Sequence, residues 1–238
     1  GLWNPTDKDL TFSSSKESVW NGPSNASALW SDKSHWKDSN NNETIANNTE
    51  TDRYRAKIET GTAVIIAGSP VTLDHLTVSN GSQVVIGDGG SLTLDSSLGG
   101  IPEHLLLGVG ASVIQNNGEL VLDGGVNTTQ LLIKGVATMR GTGVLKLSDS
   151  SQNLVWGQGL PENFIVNEVG HSIRGAGQLG VGTLGIVNGG WITARGTNPL
   201  YLSPSSFGIL NSGTIEADGG TLVITGEVHN VANDLGIF

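Results

Sequence analysis

The chain has 238 residues, 35 of them Gly, with 5% aromatic and 14% charged residues and no Cys. Its net charge of −10 argues against a nucleic-acid partner, which needs clustered Lys and Arg. The lack of Cys removes disulfides, thiol catalysis and Cys-ligated metal. No apolar run approaches the roughly 18 residues of a membrane span, so membrane insertion is not expected.

Residues 1–57 differ from the rest. They hold seven of the twelve Lys and Arg and four of the six Trp, namely Trp3, Trp20, Trp30 and Trp36. Leu10-Thr11-Phe12 and Ser18-Val19-Trp20 read as short strands, and Asp38 to Asn48 reads as an exposed polar loop. The first reading of the tryptophans is a cap over the open end of a repeat domain spanning 58–238. Apolar ends of that kind must be covered. The functional alternative makes Trp3, Trp20, Trp30 and Trp36 a platform for stacking sugars.

From Ala56 onward short strands follow one another quickly. They are Thr62–Ile66, Val71–Leu73, Leu76–Val78, Gln83–Ile86, Ser91–Leu94, Glu119–Leu122, Leu131–Ile133 and Val144–Leu147. Gly68-Ser69-Pro70, Asn80-Gly81-Ser82 and Asp88-Gly89-Gly90 stand between them as turns. The strands are rich in β-branched residues. No stretch between them has helical periodicity, which excludes βαβ units. Residues 96–110 and 156–170, with Pro102 and Pro161, read as loops.

One phrase is said twice. Asn188-Gly189-Gly190-Trp191-Ile192-Thr193-Ala194 returns after 23 residues as Asn211-Ser212-Gly213-Thr214-Ile215-Glu216-Ala217. Asn188, Asn211, Gly190 and Gly213 are its turn residues. Asn117-Gly118 and Gly141-Thr142-Gly143 open related phrases at wider spacing. A period in the low twenties with one strand per phrase predicts stacked turns. The expected fold is all-β: a right-handed parallel β-helix with an N-terminal Trp-rich capping segment. Like residues should stack on like, with Asn or Thr ladders at the corners. A flat β-sandwich is the rival, but it does not predict the recurring phrase.

The segment Ser172-Ile173-Arg174-Gly175-Ala176-Gly177-Gln178-Leu179-Gly180, with the Asn188 and Asn211 phrases, resembles the repeats of bacterial surface β-helix proteins. These are autotransporter passengers and filamentous-haemagglutinin-like adhesins. The tryptophan-rich opening, Trp20-Asn21-Gly22, Trp30-Ser31 and Trp36, is similar to theirs. The resemblance implies export to the cell surface and a structural or adhesive role, and it carries over no catalytic residue.

Other motifs are weaker. Gly175 to Gly180 fits GxGxxG, but the sequence after it favours no helix to receive a phosphate. His35, His75, His104, His171 and His229 form no metal-binding pair. Polysaccharide lyases and hydrolases on a β-helix need converging carboxylates, and Asp95 with Glu119, or Asp88 with Asp123, are the candidate pairs. The likeness of Asp88-Gly89-Gly90, Asp123-Gly124-Gly125 and Asp218-Gly219-Gly220 favours turn roles instead. Five Asn-x-Ser/Thr sequons fall at Asn25, Asn42, Asn47, Asn80 and Asn127. No cofactor is expected. The expected partner is a second copy, joined end to end into a fibre, or a surface glycan.

Overall fold

The computed structural model describes residues 15–96 and 111–231. The chain opens with β1 (Lys16–Asn21), β2 (Ser27–Leu29), a single turn of 3-10 helix at Lys33–His35, and β3 (Trp36–Asp38). It then coils. The first three turns are β4 (Tyr54–Thr60), β5 (Thr62–Ile65), β6 (Val71–Leu73); β7 (His75–Val78), β8 (Gln83–Ile86), β9 (Ser91–Asp95); and β10 (Ser112–Asn116), β11 (Glu119–Leu122), β12 (Thr129–Lys134). The next two are β13 (Val136–Arg140), β14 (Val144–Leu147), β15 (Asn153–Gly157) and β16 (Phe164–Asn167), β17 (Ser172–Gly175), β18 (Gly177–Gly180). The last two are β19 (Trp191's predecessor strand, Gly185–Asn188), β20 (Trp191–Ala194), β21 (Leu200–Leu202) and β22 (Ile209–Asn211), β23 (Thr214–Ala217), β24 (Leu222–Ile224), followed by β25 (Val228–Asn230).

From β4 onward, every third strand belongs to the same sheet. Sheet A runs β25-β22-β19-β16-β13-β10-β7-β4-β1-β3, sheet B runs β2 to β23, and sheet C runs β24 to β6. All described pairings are parallel except β1 with β3. Seven complete turns, β4 to β24, therefore stack with one strand in each of three sheets, a solenoid-like repeat architecture.

The strands alternate inward and outward residues, and the inward ones stack in columns. In sheet B, Ala63, Val84, Leu120, Leu145, Ile173 and Ile192 lie one above another, all buried. Sheet C contributes Val71, Leu92, Leu131, Val155, Leu179 and Leu202. The core is thus one continuous aliphatic column between three walls. The repeated phrase aligns in register: Asn188 pairs with Asn211, Trp191 with Thr214 and Ala194 with Ala217. Corner length varies instead. In-register partners are 21 residues apart from Ala63 to Val84, 28 from Leu145 to Ile173, and 19 from Ile173 to Ile192.

β8, β11 and β14 have the bounds read from the sequence. The loop expected over 156–170 is corrected. It contains β16, and only a corner around Pro161 separates this strand from β15. Ile165 of β16 is fully buried between Ala137 and Ile186, so this segment supplies core. The polar segment 38–48 is also not a free loop along its length. Asn48 N donates to Thr72 O at 2.7 Å, and Asn47 Oδ1 accepts from Thr72 N at 2.8 Å, which lays these residues along the outer edge of β6. The boundary expected at 57/58 falls inside β4, which pairs with both β1 and β7 in sheet A. The expected strand at Leu10–Phe12 and the loop at Pro102 lie outside the described residues.

Candidate functional site

The corner between sheets A and B carries a chain of side-chain hydrogen bonds along the coil. Asn167 Nδ2 donates to Asn188 Oδ1 at 2.8 Å, Asn188 Nδ2 to Asn211 Oδ1 at 2.8 Å, and Asn211 Nδ2 to Asn230 Oδ1 at 2.9 Å. The same Nδ2 groups reach carbonyls of the next corner, as Asn188 does to Thr214 O at 3.2 Å. Gly190 and Gly213 stand two residues beyond Asn188 and Asn211, where the chain passes against the backbone of the preceding turn. Asn167 and Asn188 are buried, so their amides need these partners. Asn188→Ala should cost about 2 kcal/mol, because it strands Asn211 Oδ1 and one hydrogen of Asn167. Urea unfolding of the variant checks this.

Toward the N-terminus the ladder passes through His171, which is fully buried. Its Nδ1 lies 2.7 Å from Asn167 Oδ1, and its Nε2 lies 3.2 Å from Asn116 Nδ2. Asn116 Oδ1 accepts from Gly118 N, and its Nδ2 also donates to Val144 O at 2.9 Å. Asn116 therefore presents an N–H to the ring, Nε2 is the acceptor, and Nδ1–H donates to Asn167. The imidazole is held neutral, and burial pushes its pKa down to about 4. Asn116 and His171 are two turns apart; they meet because the corner between them is Gly141-Thr142-Gly143, and a Cβ on Gly143 would stand 2.8 Å from Asn116 Oδ1.

Beside this corner, the outer face of sheet B holds a groove of about 600 Å3. Its floor follows the register column Gln83, Glu119, Val144 and Ser172, and Arg174 flanks it. Gln83 Nε2 donates to Glu119 Oε2 at 2.8 Å, and Arg174 stands 3.9 Å from Glu119 Oε1. Asn117 and Thr142 of successive corners form one rim, tied by Thr142 N donating to Asn117 Oδ1.

The corners between sheets B and C are fastened by Asp side chains. Asp88 accepts from Gly125 N, Asn127 N and Asn127 Nδ2 at 2.8–3.0 Å. Asp149 reaches past a whole turn to accept from Thr197 N and Asn198 N, and from their side chains. These donors hold both carboxyls below the usual carboxylate range, through Asn127 for Asp88 and Thr197 for Asp149. Of the candidate acid pairs, Asp95 and Glu119 fall in different sheets, while Asp88 and Asp123 follow the in-register strands β8 and β11. Asp95 lies in sheet C opposite Lys134 at 3.6 Å, whereas Glu119 is in sheet B. Asp88 is engaged by the next corner, and Asp123 follows β11 with its N–H on Ile86 O. Among the described residues no group of three His, Cys, Asp or Glu is placed to hold a metal ion.

The sugar platform expected from the N-terminal tryptophans is corrected for Trp20, Trp30 and Trp36. Trp20 and Trp36 are 0% exposed and Trp30 is 2%. Their rings pack on one another, Trp30 on Trp36 at 4.6 Å and Trp20 on Trp36 at 5.2 Å, with Trp30 Nε1 donating to Ala46 O and Trp36 Nε1 to Trp30 O. A ring with no free face cannot stack a sugar. Trp3 and His104 lie outside the described residues. Of the sequons, Asn25, Asn42, Asn80 and Asn127 are exposed and Asn47 is half-buried; Asn42, Asn47 and Asn127 use Nδ2 to bond Asp38, Pro70 O and Asp88. The Gly175–Gly180 motif lies on β17 and β18 with no helix behind it. His229 is exposed near Glu227. His75 Nδ1 accepts from Val113 N, and burial and Arg55 lower its pKa.

Comparison of this chain with protein-family models, with curated proteins and with solved structures finds no match.

Proposed function

We propose that this chain is a non-enzymatic structural or adhesive β-solenoid, exported as part of a bacterial surface protein or of a self-assembling filament. We take its coil to be right-handed, the sense that parallel strand crossovers favour. The observation that carries the reading is the stacking of seven turns in three parallel sheets with a side-chain ladder along the axis. Each turn is hydrogen-bonded to the next, which makes such a coil stiff, and its work is mechanical.

The cap reading is supported by the N-terminal end. There β3 runs antiparallel on β1, Trp20 faces Trp36, and residues 47–48 line β6, so two sheet edges are covered. At the other end, among the described residues, β23, β24 and β25 pair on one side only. Such edges accept a further turn or the matching edge of another copy. The separation of Asp95 from Glu119 favours the non-enzymatic reading over a lyase or hydrolase. No cofactor and no membrane insertion are invoked.

Light scattering behind size exclusion, with negative-stain micrographs over a concentration series, tests this. Fibres of uniform width, or separate short rods, are expected. Compact spherical particles, or cleavage of polysaccharide by the purified chain, would overturn it.

A further inference from the structure

We propose that the groove on the outer face of sheet B binds an extended neutral polysaccharide laid along the coil axis, with Trp191 as its stacking platform. This deepens the adhesive reading above and rests on it. Trp191 is 45% exposed, in contrast to the buried tryptophans of the N-terminal segment. It opens β20 in register with Ser172 on one side and Thr214 on the other, next along the column Thr62, Gln83, Glu119, Val144 and Ser172. Nearly half of this indole stays open to solvent on a strand face beside the groove, where an aromatic ring can offer an apolar surface to a ligand.

The groove beside it has the chemistry of a sugar site. A pyranose presents an apolar C–H face and a rim of hydroxyls that both donate and accept. The indole suits the face. The rim needs oriented planar groups, and these are present: the Gln83 amide fixes one oxygen of Glu119, and Arg174 stands against the other. Both groups keep exposed hydrogen-bonding capacity, with Arg174 and Glu119 side chains 42% and 38% exposed. Ser172 and Asn117 add smaller polar groups at floor and rim.

Charge selects among sugars. The outward positions of sheet B carry Lys146 and Arg174 against Glu119 and Glu216, which balance. That disfavours uronates and sulfated chains relative to neutral ones. Shape selects a chain over a single sugar. The column from Thr62 to Trp191 crosses six strands, about 24 Å at ~4.8 Å per strand. That strand spacing is close to the advance of one pyranose along an extended chain, so each sugar can meet the same register position of a new turn.

The test is calorimetric titration of the whole chain with cello-, xylo-, manno- and galacto-oligosaccharides of about five units, one per strand spacing. Oligogalacturonate serves as the charged comparator. At least one neutral oligosaccharide should bind. Trp191→Ala should weaken it about tenfold or more and Trp191→Phe much less, with circular dichroism unchanged because the side chain is exposed. Glu119→Gln should also weaken binding. No binding by any neutral oligosaccharide, equal binding by Trp191→Ala, or binding of oligogalacturonate alone would overturn the proposal. If binding fails while rods or fibres persist, only this site falls. If the particles are compact, the solenoid reading itself falls whatever the titrations give.

Discussion

Acidification from pH 7 to pH 4 should remove about 3 kcal/mol of stability through His171 alone. The ring is neutral in the folded chain down to about pH 4, against an ordinary value of 6.5. Above pH 6.5 folded and unfolded forms are both neutral, and the full stability is present. As pH falls from 6.5 toward 4, the unfolded chain takes up a proton that the folded chain refuses, so stability drops. Below about 4 both forms are protonated and the loss is complete. The cause is local: a proton on Nε2 would face the N–H of Asn116, on a ring that is fully buried. His75, lowered by burial and by Arg55, acts in the same direction, so His75→Gln is the background for the measurement. In that background, urea midpoints between pH 7 and 4 should fall steeply. His171→Gln should be less stable at pH 7 and nearly flat over the same range. A flat profile with His171 present, or the same slope without it, would remove the ladder's neutral histidine. Asp149 and Asp88 lose their contributions only at lower pH, since their folded values lie below the ordinary carboxylate range.

Gly175→Ala should be among the most damaging single substitutions, at about 3 kcal/mol or more. Gly175 ends β17 at φ +128, and a Cβ there would overlap the carbonyl of Leu147 in the preceding turn. The corner that follows is only Ala176 before β18 begins, so the backbone has no slack to retreat. Gly81→Ala makes the comparison. It has φ +78 but open space around it, so only the backbone preference is lost, about 1–2 kcal/mol. Thermal unfolding of the two variants should rank Gly175→Ala far below Gly81→Ala. Equal effects would mean that adjacent turns do not pack as closely as this corner requires.

The sequence made the repeat visible where corners keep their length. From Asn188 to Asn211 nothing is inserted, so the phrase repeats in letters as well as in space. Between Leu145 and Ile173 the offset is 28 residues and between Ile173 and Ile192 it is 19, which hides the same alignment. β16 was obscured by Pro161, although the proline sits in the corner and leaves the strand intact. The tryptophans misled for a different reason. On β1 the buried face carries Ser18 and Trp20, while Val19 is only half-buried, so alternation of hydrophobicity does not report which side is inward. His171 reads as a polar turn or surface residue between Gly170 and Ser172, and it lies at a turn but fully buried. Its burial depends on Gly141 and Gly143, about one turn earlier, making room for Asn116. The groove column Gln83, Glu119, Val144, Ser172 and Trp191 has no common residue type and becomes a line only once the strands are in register.

The most direct test of rung-on-rung stacking uses the absence of native Cys. Thr193 and Glu216 are in-register neighbours on the outer face of sheet B, with Thr193 Oγ1 3.3 Å from Glu216 Oε1. Adjacent parallel strands place such Cα atoms about 5 Å apart, within disulfide range. Thr193→Cys with Glu216→Cys should oxidise to an intramolecular disulfide in the folded chain. Thr193→Cys with Thr214→Cys, offset by two residues to about 8 Å, should not. A disulfide in the first pair alone would place residues one period apart on neighbouring turns. No disulfide in the first pair, or equal formation in both, would contradict the stacked coil.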